Sequence, residues 1–433
     1  MPSISPPSFT LRRLFLICVA STSFSSSIYA QDLTADQVST VKQRLQEGAQ
    51  QSWELGTRAQ ALTEYDSPSY SVTNGTKVPP PTSSPPGSLD EVFNITKTVL
   101  EARTKAFANV TGPQPLVAND GSSADPASIG VAVLLANWTG QGSTDGVDYA
   151  GAAQSQLEYL LTQVPRTSDG AISHRVSEVQ LWSDFVYMVP PFLAYYGVLS
   201  NNQSLVSEAY NQVKLYRQYL GDSSAGGIWK HIVMGSTVPP DPGHWSTGNG
   251  WAAAGMLRVQ GTIQNSPFPN NFKTEMSDLS NWVTEILNGM YPHLRSDQLF
   301  LNYADNNSTF SDAASTALLA SAAYRHALLN KVHTQLPNAE RSRLALVSPT
   351  NSSNSSLGHF DQNMWLTPVV NPHQFGIQGS ESPEAQAFVV EMQAAWGDWV
   401  RAGSPGASSG TQVRASVGSL SLALLAVIYS VIR

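Results

Sequence analysis

Cysteine is nearly absent from this sequence. Of the 433 residues only Cys18 is a cysteine, and it lies in an apolar segment near the N-terminus. The rest of the chain can therefore form no disulfide, no cysteine nucleophile and no thiolate metal site. Such a chain must be stabilised by its core. Its 41% hydrophobic residues are enough to bury one, which argues against a mainly disordered protein.

Basic residues are also scarce. Lys and Arg number 24 against 32 Asp and Glu, the formal net charge is -8, and no run of basic residues occurs. Binding to a phosphate backbone needs a basic surface, so the composition argues against a nucleic-acid partner. The length exceeds that of a common domain of about 100–200 residues, which indicates two domains or one large barrel or toroid.

The N-terminus has the pattern of a secretory signal peptide. Arg12 and Arg13 precede the apolar stretch 14–20, and the small residue Ala30 ends a serine-rich stretch. We therefore predict that residues 1–30 are a signal peptide that is cleaved after Ala30. The alternative, an N-terminal membrane anchor, needs a longer apolar span than this one.

The C-terminus has the order of a glycosylphosphatidylinositol (GPI) attachment signal. Small residues at 404–409 are followed by a polar spacer at 410–416 and an apolar tail at 417–432. Residues 404–433 are therefore predicted to direct attachment of a lipid anchor, with Ser409 as the candidate attachment residue. A C-terminal transmembrane helix is the alternative, although the tail is short for one.

Acceptor sites for N-glycosylation are frequent along the chain. In a chain with a signal peptide, this density indicates a heavily glycosylated surface. Together with the two terminal signals, it predicts a secreted eukaryotic cell-surface glycoprotein that contacts the membrane only through its lipid anchor. The acceptor asparagines are Asn74, Asn94, Asn109, Asn137, Asn202, Asn306, Asn307, Asn351 and Asn354.

Between the two signals, residues 31–403 are predicted to form a single all-α domain. Apolar residues recur at helical spacing, and no long run alternates apolar with polar residues. The Ser- and Pro-rich stretch 67–86 is predicted to be a loop, and 346–378 a long surface excursion. The predicted helices are 36–64, 89–106, 125–137, 148–164, 181–199, 203–220, 248–263, 271–290, 311–329 and 382–402.

A succession of helices without a heptad can form an α-solenoid or a closed toroid of helical hairpins. The sequence shows no repeat of fixed period. Since the hairpins of a toroid can diverge around a central cavity, we expect the toroid.

Asp184 is the ionisable carboxyl group of an otherwise apolar and aromatic segment, 181–193. Burial without a cationic partner raises a carboxyl pKa, as a general acid working near neutral pH requires. The alternative is a structural role, in which Asp184 caps the helix by accepting hydrogen bonds from the amides of Tyr187 or Met188.

Glycine, histidine and tryptophan cluster further along the chain, at 226–231 and 243–251. Indole rings stack on the apolar faces of sugars, and glycine lets the backbone approach a ligand closely. The alternative is that these tryptophans only pack in the core. A zinc site at His231 and His244 is conceivable, but no His-Glu pair at helical spacing supports it.

With these segments, the chain resembles glycoside hydrolase family 105, which contains the unsaturated rhamnogalacturonyl hydrolases. The resemblance rests on 184–194 (DFVYMVPPFLA), 227–231 (GIWKH), 244–251 (HWSTGNGW) and 379–388 (GSESPEAQAF). It spans roughly residues 50 to 400 and implies a six-hairpin (α/α)6 toroid, here in a secreted member of fungal type.

The resemblance also implies a reaction. In this family an aspartic acid protonates the C4=C5 double bond of a 4,5-unsaturated uronic acid, water adds at C5, and the hemiketal collapses and releases the sugar. Neither a metal nor another cofactor is expected. Asp184 matches the acid/base, and Asp125 is the candidate second carboxylate, with N-capping as its alternative. The residues expected to contact the sugar are His174, His231, Trp245, Asn249 and Trp251.

One position departs from the family pattern. Many members have an arginine two residues after the first tryptophan of the HWSTGNGW segment, where this chain has Thr247. Either Arg175 or Lys230 replaces this cation, or the substrate is not an unsaturated uronide.

We therefore expect a glycoside hydrolase that acts on cell-wall or pectin-derived oligosaccharides. One alternative is a GPI-anchored, wall-remodelling α-mannanase, although such enzymes are expected to carry two adjacent aspartates and no Asp-Asp pair occurs here. The other alternative is a non-catalytic carbohydrate-binding wall protein on the same scaffold.

Overall fold

The structure is a computed structural model that describes residues 32–83, 85, 87–349 and 356–407. The predicted signal peptide, Cys18, Asn351 and Asn354 lie outside the described residues. So does most of the predicted GPI signal, from residue 408 onward.

The described chain is mainly helical. Twelve of its α-helices have nine or more residues, and one, α5, is a single turn. The helices are α1 (Ala35–Gly48), α2 (Ser52–Asp66), α3 (Asp90–Ala106), α4 (Gly130–Trp138), α5 (Gly142–Asp145), α6 (Tyr149–Thr162), α7 (Phe185–Leu199), α8 (Gln203–Leu220), α9 (Ser246–Gln264), α10 (Lys273–Met290), α11 (Ala313–Asn330), α12 (Leu336–Val347) and α13 (Pro383–Arg401).

Six of these helices form a closed inner ring, in the order α2, α4, α7, α9, α11 and α13. Each contacts the next, and α13 packs back against α2. The 3-10 turn Asp125–Ile129 leads directly into α4 and contacts α2 and α7. The outer helices α1, α3, α6, α8, α10 and α12 alternate with them along the chain, so the fold is a six-hairpin toroid. The fold prediction is confirmed.

The amino-acid pattern explains which helices are inside. The inner helix α7 is apolar on every side and buries nearly all of its residues. The outer helix α10 buries only one stripe, Leu279, Val283, Ile286, Leu287 and Met290, at spacings of three and four residues. A helix with one apolar face packs on the ring from outside, whereas an apolar helix must lie within it.

A buried network ties together three inner helices. Arg325 of α11 donates to Glu64 of α2, with 2.7 Å between Nη2 and Oε2, and it also pairs with Asp398 of α13. Beside it, the Tyr187 hydroxyl donates to Glu391. Arg325 thus pairs with the carboxylates of two other helices, as the burial of a charge requires.

Short strands lie near the N-terminal ends of the inner helices. They form three antiparallel pairs within the described residues, and in the first Leu181 is opposite Val233. Because the strands precede α7, α9, α11 and α13, they set where these helices begin. The pairs are β1 (Leu181–Trp182) with β2 (Ile232–Val233), β3 (Phe300–Leu301) with β4 (Ser311–Asp312), and β5 (Val369–Asn371) with β6 (Gln374–Gly379).

Some predicted elements need correction. The single helix predicted over 36–64 is two helices, α1 and α2, and α12 was not predicted. The helix predicted from residue 181 begins at Phe185, because Leu181 and Trp182 pair with β2 instead. The surface excursion predicted at 346–378 is wrong, since Val369 and Val370 are fully buried and begin a hairpin.

No helix in the described part of the chain combines the length and the apolar character that crossing a membrane requires. Of the acceptor asparagines within that part, Asn74 is half-buried. The others are exposed: Asn94, Asn109, Asn137, Asn202, Asn306 and Asn307.

Candidate active site

A cleft of about 770 Å³ opens where the inner helices begin. Its wall combines carboxyl groups, histidines and aromatic rings, as is typical of a small-molecule site. The lining residues are Trp53, Asp125, His174, Arg175, Trp182, Asp184, Met188, His231, Trp245, Trp251, Pro372, His373, Phe375 and Glu384.

Asp184 occupies the N-cap position of α7 but makes no capping hydrogen bond with its side chain. Its Oδ1 is buried and has no hydrogen-bond partner in the described structure. Burial raises the pKa of Asp184 to about 7, although the nearby backbone amides of Asp184 and Phe185 partly oppose this. The geometry thus favours a proton donor over a helix cap.

Asp125 also faces the cleft, from the first residue of the 3-10 turn before α4. Ser122, not Asp125, caps this turn, because its Oγ accepts from the amides of Ala124 (3.1 Å) and Asp125 (3.0 Å). Burial, followed by the negative charges of Asp120 and Asp184, raises the pKa of Asp125 well above its usual value. Asp125 is therefore a second candidate acid.

His174 lies beside the two carboxyl groups. Its Nε2 is 3.8 Å from Oδ1 of Asp125 and 3.2 Å from Oγ of Ser122. Burial, then the charges of Arg175 and His231, lowers the pKa of His174 well below its usual value, so the ring is neutral and its contact with Asp125 is not an ion pair. The Trp182 indole stacks on it, with 4.8 Å between centroids.

These three side chains are also where a cation could be held. One ligand atom each from Asp125, His174 and Asp184 lie within 4.8 Å of one another. The zinc pairing considered from sequence is not formed, since His231 binds Asp241 and His244 binds Asp305 instead.

His231 lies at the centre of an aromatic wall. Its ring is 4.4 Å from both Trp245 and Phe375 and 5.4 Å from Trp182, centroid to centroid. Its Nδ1 is 2.9 Å from Oδ2 of Asp241. Burial lowers the pKa of His231, so the ring is neutral, donates from Nδ1 and leaves Nε2 as a buried acceptor without a described partner.

Trp245 and Trp251 border the cleft but are mostly buried. Trp245 is 7% exposed and donates from Nε1 to Oδ1 of Asn302 at 3.0 Å. Trp251 is 1% exposed and packs between Tyr187 and Phe388. Both tryptophans therefore pack in the core and also form part of the cleft wall.

Asn249 does not line the cleft, which corrects its prediction as a sugar contact. It is fully buried, and its Oδ1 accepts from the Trp229 amide at 2.7 Å. Its Nδ2 donates to the carbonyls of Trp229 and Trp245, both at 3.0 Å. Asn249 therefore ties the segment 227–231 to the start of α9 and positions the wall from behind.

Sequence analysis did not identify one side of the cleft. Trp53 comes from the first turn of α2, Glu384 from the first turn of α13, and Pro372, His373 and Phe375 from the β5–β6 hairpin. Glu384 lies in the GSESPEAQAF segment, which was a usable signal. No periodicity marks the other four residues.

Glu384 is a third buried acid in the cleft. Trp53 donates to its Oε2 at 3.1 Å, while Oε1 has no partner within the described ranges. Burial, then the negative charge of Glu54, raises the pKa of Glu384 to about 8.

Thr247, Lys230 and Arg175 are the positions considered above for a cation that could meet the substrate carboxylate. They lie in different places relative to the cleft. Thr247 is fully buried and donates from Oγ1 to Oδ2 of Asp312 at 3.0 Å. The ammonium of Lys230 is 3.6 Å from Asp222 and outside the cleft. Arg175 lines it.

Comparison with known proteins identifies the family. Residues 90–343, more than half of the chain, match the model of Glycosyl Hydrolase Family 88. The chain belongs to this family and is a glycoside hydrolase. No curated protein matches it.

Solved structures share the fold at low sequence identity. A possible member of family GH105 from Salmonella enterica is 15% identical, with a TM-score of 0.60 over 84% of this chain and 94% of that one. A family 105 glycoside hydrolase from C. acetobutylicum is 12% identical, with a TM-score of 0.62 over 83% and 99%. An unsaturated glucuronyl hydrolase from Bacillus sp. GL1 is 13% identical, with a TM-score of 0.53 over 83% and 94%. The expectation of a six-hairpin glycosidase similar to family 105 is confirmed.

Proposed function

We propose that this protein hydrolyses oligosaccharides that end in a 4,5-unsaturated uronic acid, with Asp184 as the acid. The observation that carries the proposal is the meeting of Asp184 and Asp125, both with raised pKa values, in an aromatic cleft. Family membership and the fold shared with unsaturated glucuronyl hydrolases support it.

The reaction needs a proton on carbon, and a protonated carboxyl group can supply it. Asp184 donates its proton to C4 of the enol ether, and the positive charge that develops at C5 is quenched by water. The new Asp184 carboxylate then accepts a proton from that water. The hemiketal at C5 opens to a ketone, and the resulting hemiacetal at C1 releases the rest of the oligosaccharide as an alcohol.

In this proposal Asp125 helps to keep Asp184 protonated. Two carboxyl groups this close cannot both ionise cheaply, so the negative charge of either one favours the protonated form of the other. Because His174 is neutral, it does not offset a negative charge on Asp125 or Asp184. The arrangement keeps a proton available at mildly acidic to neutral pH.

The test measures the ultraviolet absorbance of the conjugated double bond in an unsaturated uronyl disaccharide. The wild-type protein should abolish the absorbance, and Asp184→Asn should be slower by at least about 100-fold, because the amide cannot give up a proton. Asp278→Asn is the matched control. Its carboxylate lies on the outer helix α10, accepts a hydrogen bond from the Tyr210 hydroxyl and does not line the cleft, so this variant should keep near wild-type activity.

Two results would contradict the proposal. Hydrolysis of a saturated glycoside, such as an α-mannoside, with the absorbance left intact would exclude hydration. Full activity of a folded Asp184→Asn variant would show that Asp184 is only a buried structural acid.

We further propose that the substrate derives from pectin or another cell-wall polysaccharide, and that the enzyme is a secreted, N-glycosylated protein held at the cell surface by a GPI anchor. The apolar segments at both ends and the exposed acceptor asparagines support this location.

A further inference from the structure

A 4,5-unsaturated uronic acid carries a carboxylate at C5, next to the double bond that is protonated. If the proposed function holds, the cleft must therefore accommodate a negative charge close to Asp184. Charge-assisted hydrogen bonds from a guanidinium suit a carboxylate best, since its planar fork matches the two oxygens. The position where many relatives place an arginine cannot serve, because Thr247 is buried against Asp312.

Arg175 is held at the cleft by its own backbone. It directly follows His174, and residues 175 and 122 pair in an isolated antiparallel bridge. The guanidinium lies against Gly121, where a Cβ atom would be 2.8 Å from Nη2 of Arg175. Glycine at this position therefore leaves the room that the guanidinium occupies.

The guanidinium has unused hydrogen-bonding capacity. Its Nε is buried without a hydrogen-bond partner, and no described carboxylate forms an ion pair with it. It is close enough to Asp125 to lower the pKa of that group slightly. Since no described residue forms a hydrogen bond or ion pair with this guanidinium, a ligand carboxylate in the cleft does not have to displace a partner in order to bind it.

Other cations are less suitable. Lys230 is paired with Asp222 outside the cleft. Among the described lining residues Arg175 is the one Lys or Arg, and the buried histidines His174 and His231 are neutral. His373 is exposed at the rim, 3.7 Å from Glu54.

We propose that Arg175 binds the carboxylate of the terminal uronic acid and makes the enzyme select the acid over its neutral analogues. The neighbouring carboxyl groups do not oppose this binding at mildly acidic pH. Burial raises the pKa of Asp184 to about 7 and that of Glu384 to about 8, so both groups are mainly protonated at mildly acidic pH, and the raised pKa of Asp125 acts in the same direction.

The test compares an unsaturated uronyl disaccharide with its methyl ester, which keeps the double bond and loses the charge. Wild-type enzyme should prefer the acid. Arg175→Gln should lower kcat/KM for the acid by about 10- to 100-fold, mainly through KM, and change that for the ester by less than about 3-fold. Arg175→Lys, which keeps the charge but not the fork, should give an intermediate value.

Lys230→Gln is the matched control and should keep the wild-type preference. Competitive inhibition by glucuronate and by methyl glucuronate gives the same comparison without turnover. Melting temperatures verify that each variant is folded, and Arg175→Lys provides the readout if Arg175→Gln is not.

The outcomes separate this inference from the proposed function. If wild-type enzyme hydrates neither the acid nor the ester, the proposed function fails. If it hydrates the acid but a folded Arg175→Gln variant keeps the preference for acid over ester, the function stands and the assignment of Arg175 is wrong. Loss of the preference in Lys230→Gln instead would identify Lys230 as the cation.

Discussion

At the scale of single residues, the proposed chemistry depends on the protonation of Asp184. Leu181, Phe185 and Met188, within four residues of it, are buried apolar side chains, and this pattern is visible in the sequence. The sequence could not decide between catalysis and capping, because a residue at the start of a helix can do either. The missing capping bond and the position on the cleft favour catalysis.

The rate should depend on pH through this residue. In the proposed mechanism the acid form of Asp184 reacts, and burial raises its pKa to about 7. We therefore predict that kcat/KM on the unsaturated disaccharide falls as the pH rises through about 7, because the proton is lost. A pH–rate profile from pH 4 to 9 measures this, and a rate that increases through pH 7 would mean that the ionised form of Asp184 is active.

The same acid should not need a metal. In the proposed mechanism, protonation by Asp184 and attack by water need only side chains of the cleft, so extensive treatment with a chelator should leave kcat/KM unchanged. Metal analysis of the purified protein accompanies the assay. Loss of activity that returns with a divalent cation would instead assign Asp125, His174 and Asp184 as its ligands.

The residue types of the sequence predicted many of the side chains in the cleft wall. The direction in which each side chain points could not be predicted from them. Trp245, Trp251 and Asn249 follow one another within seven positions, yet only the two tryptophans border the cleft. Asn249 points away because the rotation of α9 is set by its packing on α7 and α11. A sequence segment does not encode that rotation by itself.

At the scale of elements, the inner helices are packed so closely that their backbones touch. A Cβ on Gly255 of α9 would overlap with the Val186 carbonyl of α7 and lie 2.7 Å from Cα of Tyr187. Backbone atoms cannot move aside as a side chain can. Helix α7, which makes this contact, carries Asp184 at its N-cap.

Gly255→Ala should therefore lower the free energy of unfolding by about 1–3 kcal/mol, the usual cost of overpacking a core. Gly397→Ala in α13 is the matched control, since its nearest atom is the flexible end of Arg401, at 3.3 Å. It should be neutral or slightly stabilising because alanine favours helix. Thermal or urea denaturation measures both, and equal stability of the two variants would contradict the close approach of α7 and α9.

Most long helices were predictable, although α12 was missed and α1 and α2 were predicted as one, and the short strands were not predictable. In a helix such as α10, which buries one stripe, or α7, which is buried on every side, the spacing of the apolar residues shows the helix in the sequence. The β5–β6 hairpin has too few residues for a period, and its position depends on the buried contact of Val370 with Asp312 of another hairpin. The side of the cleft that includes Phe375 was missed for this reason.

At the scale of the whole molecule, the cleft and the C-terminal end of α13 lie at opposite ends of the toroid. Helix α13 starts at the cleft with Glu384 and runs for 19 residues, or about 28 Å, to Arg401. The described chain beyond it packs there, since Trp399 donates to the Pro405 carbonyl at 2.9 Å. An anchor attached soon after residue 407 would leave the cleft on the side away from the membrane.

Phosphatidylinositol-specific phospholipase should release the protein from cells in a soluble, glycosylated form that begins near Gln31. Its kcat/KM on soluble oligosaccharides should equal that of the cell-bound form, because the end of α13, after which the anchor is proposed to be attached, is far from the cleft. Edman or mass-spectrometric analysis gives the N-terminus. Retention of the protein after effective lipase treatment would show that 417–432 is an ordinary membrane segment.

The common starting end of the inner helices also has an electrostatic consequence. An α-helix carries a partial positive charge of roughly half a unit at its N-terminus. Four of the inner helices, α2, α7, α9 and α13, have a cap or first-turn residue in the lining of the cleft, so their dipoles add a positive contribution there although the molecule has a formal net charge of -8. These residues are Trp53, Asp184, Trp245 and Glu384. Backbone dipoles do not titrate, which means that this field persists at a pH where every carboxyl group is ionised. It lowers carboxyl pKa values, so the raised values of Asp184 and Glu384 show that desolvation is the stronger influence there.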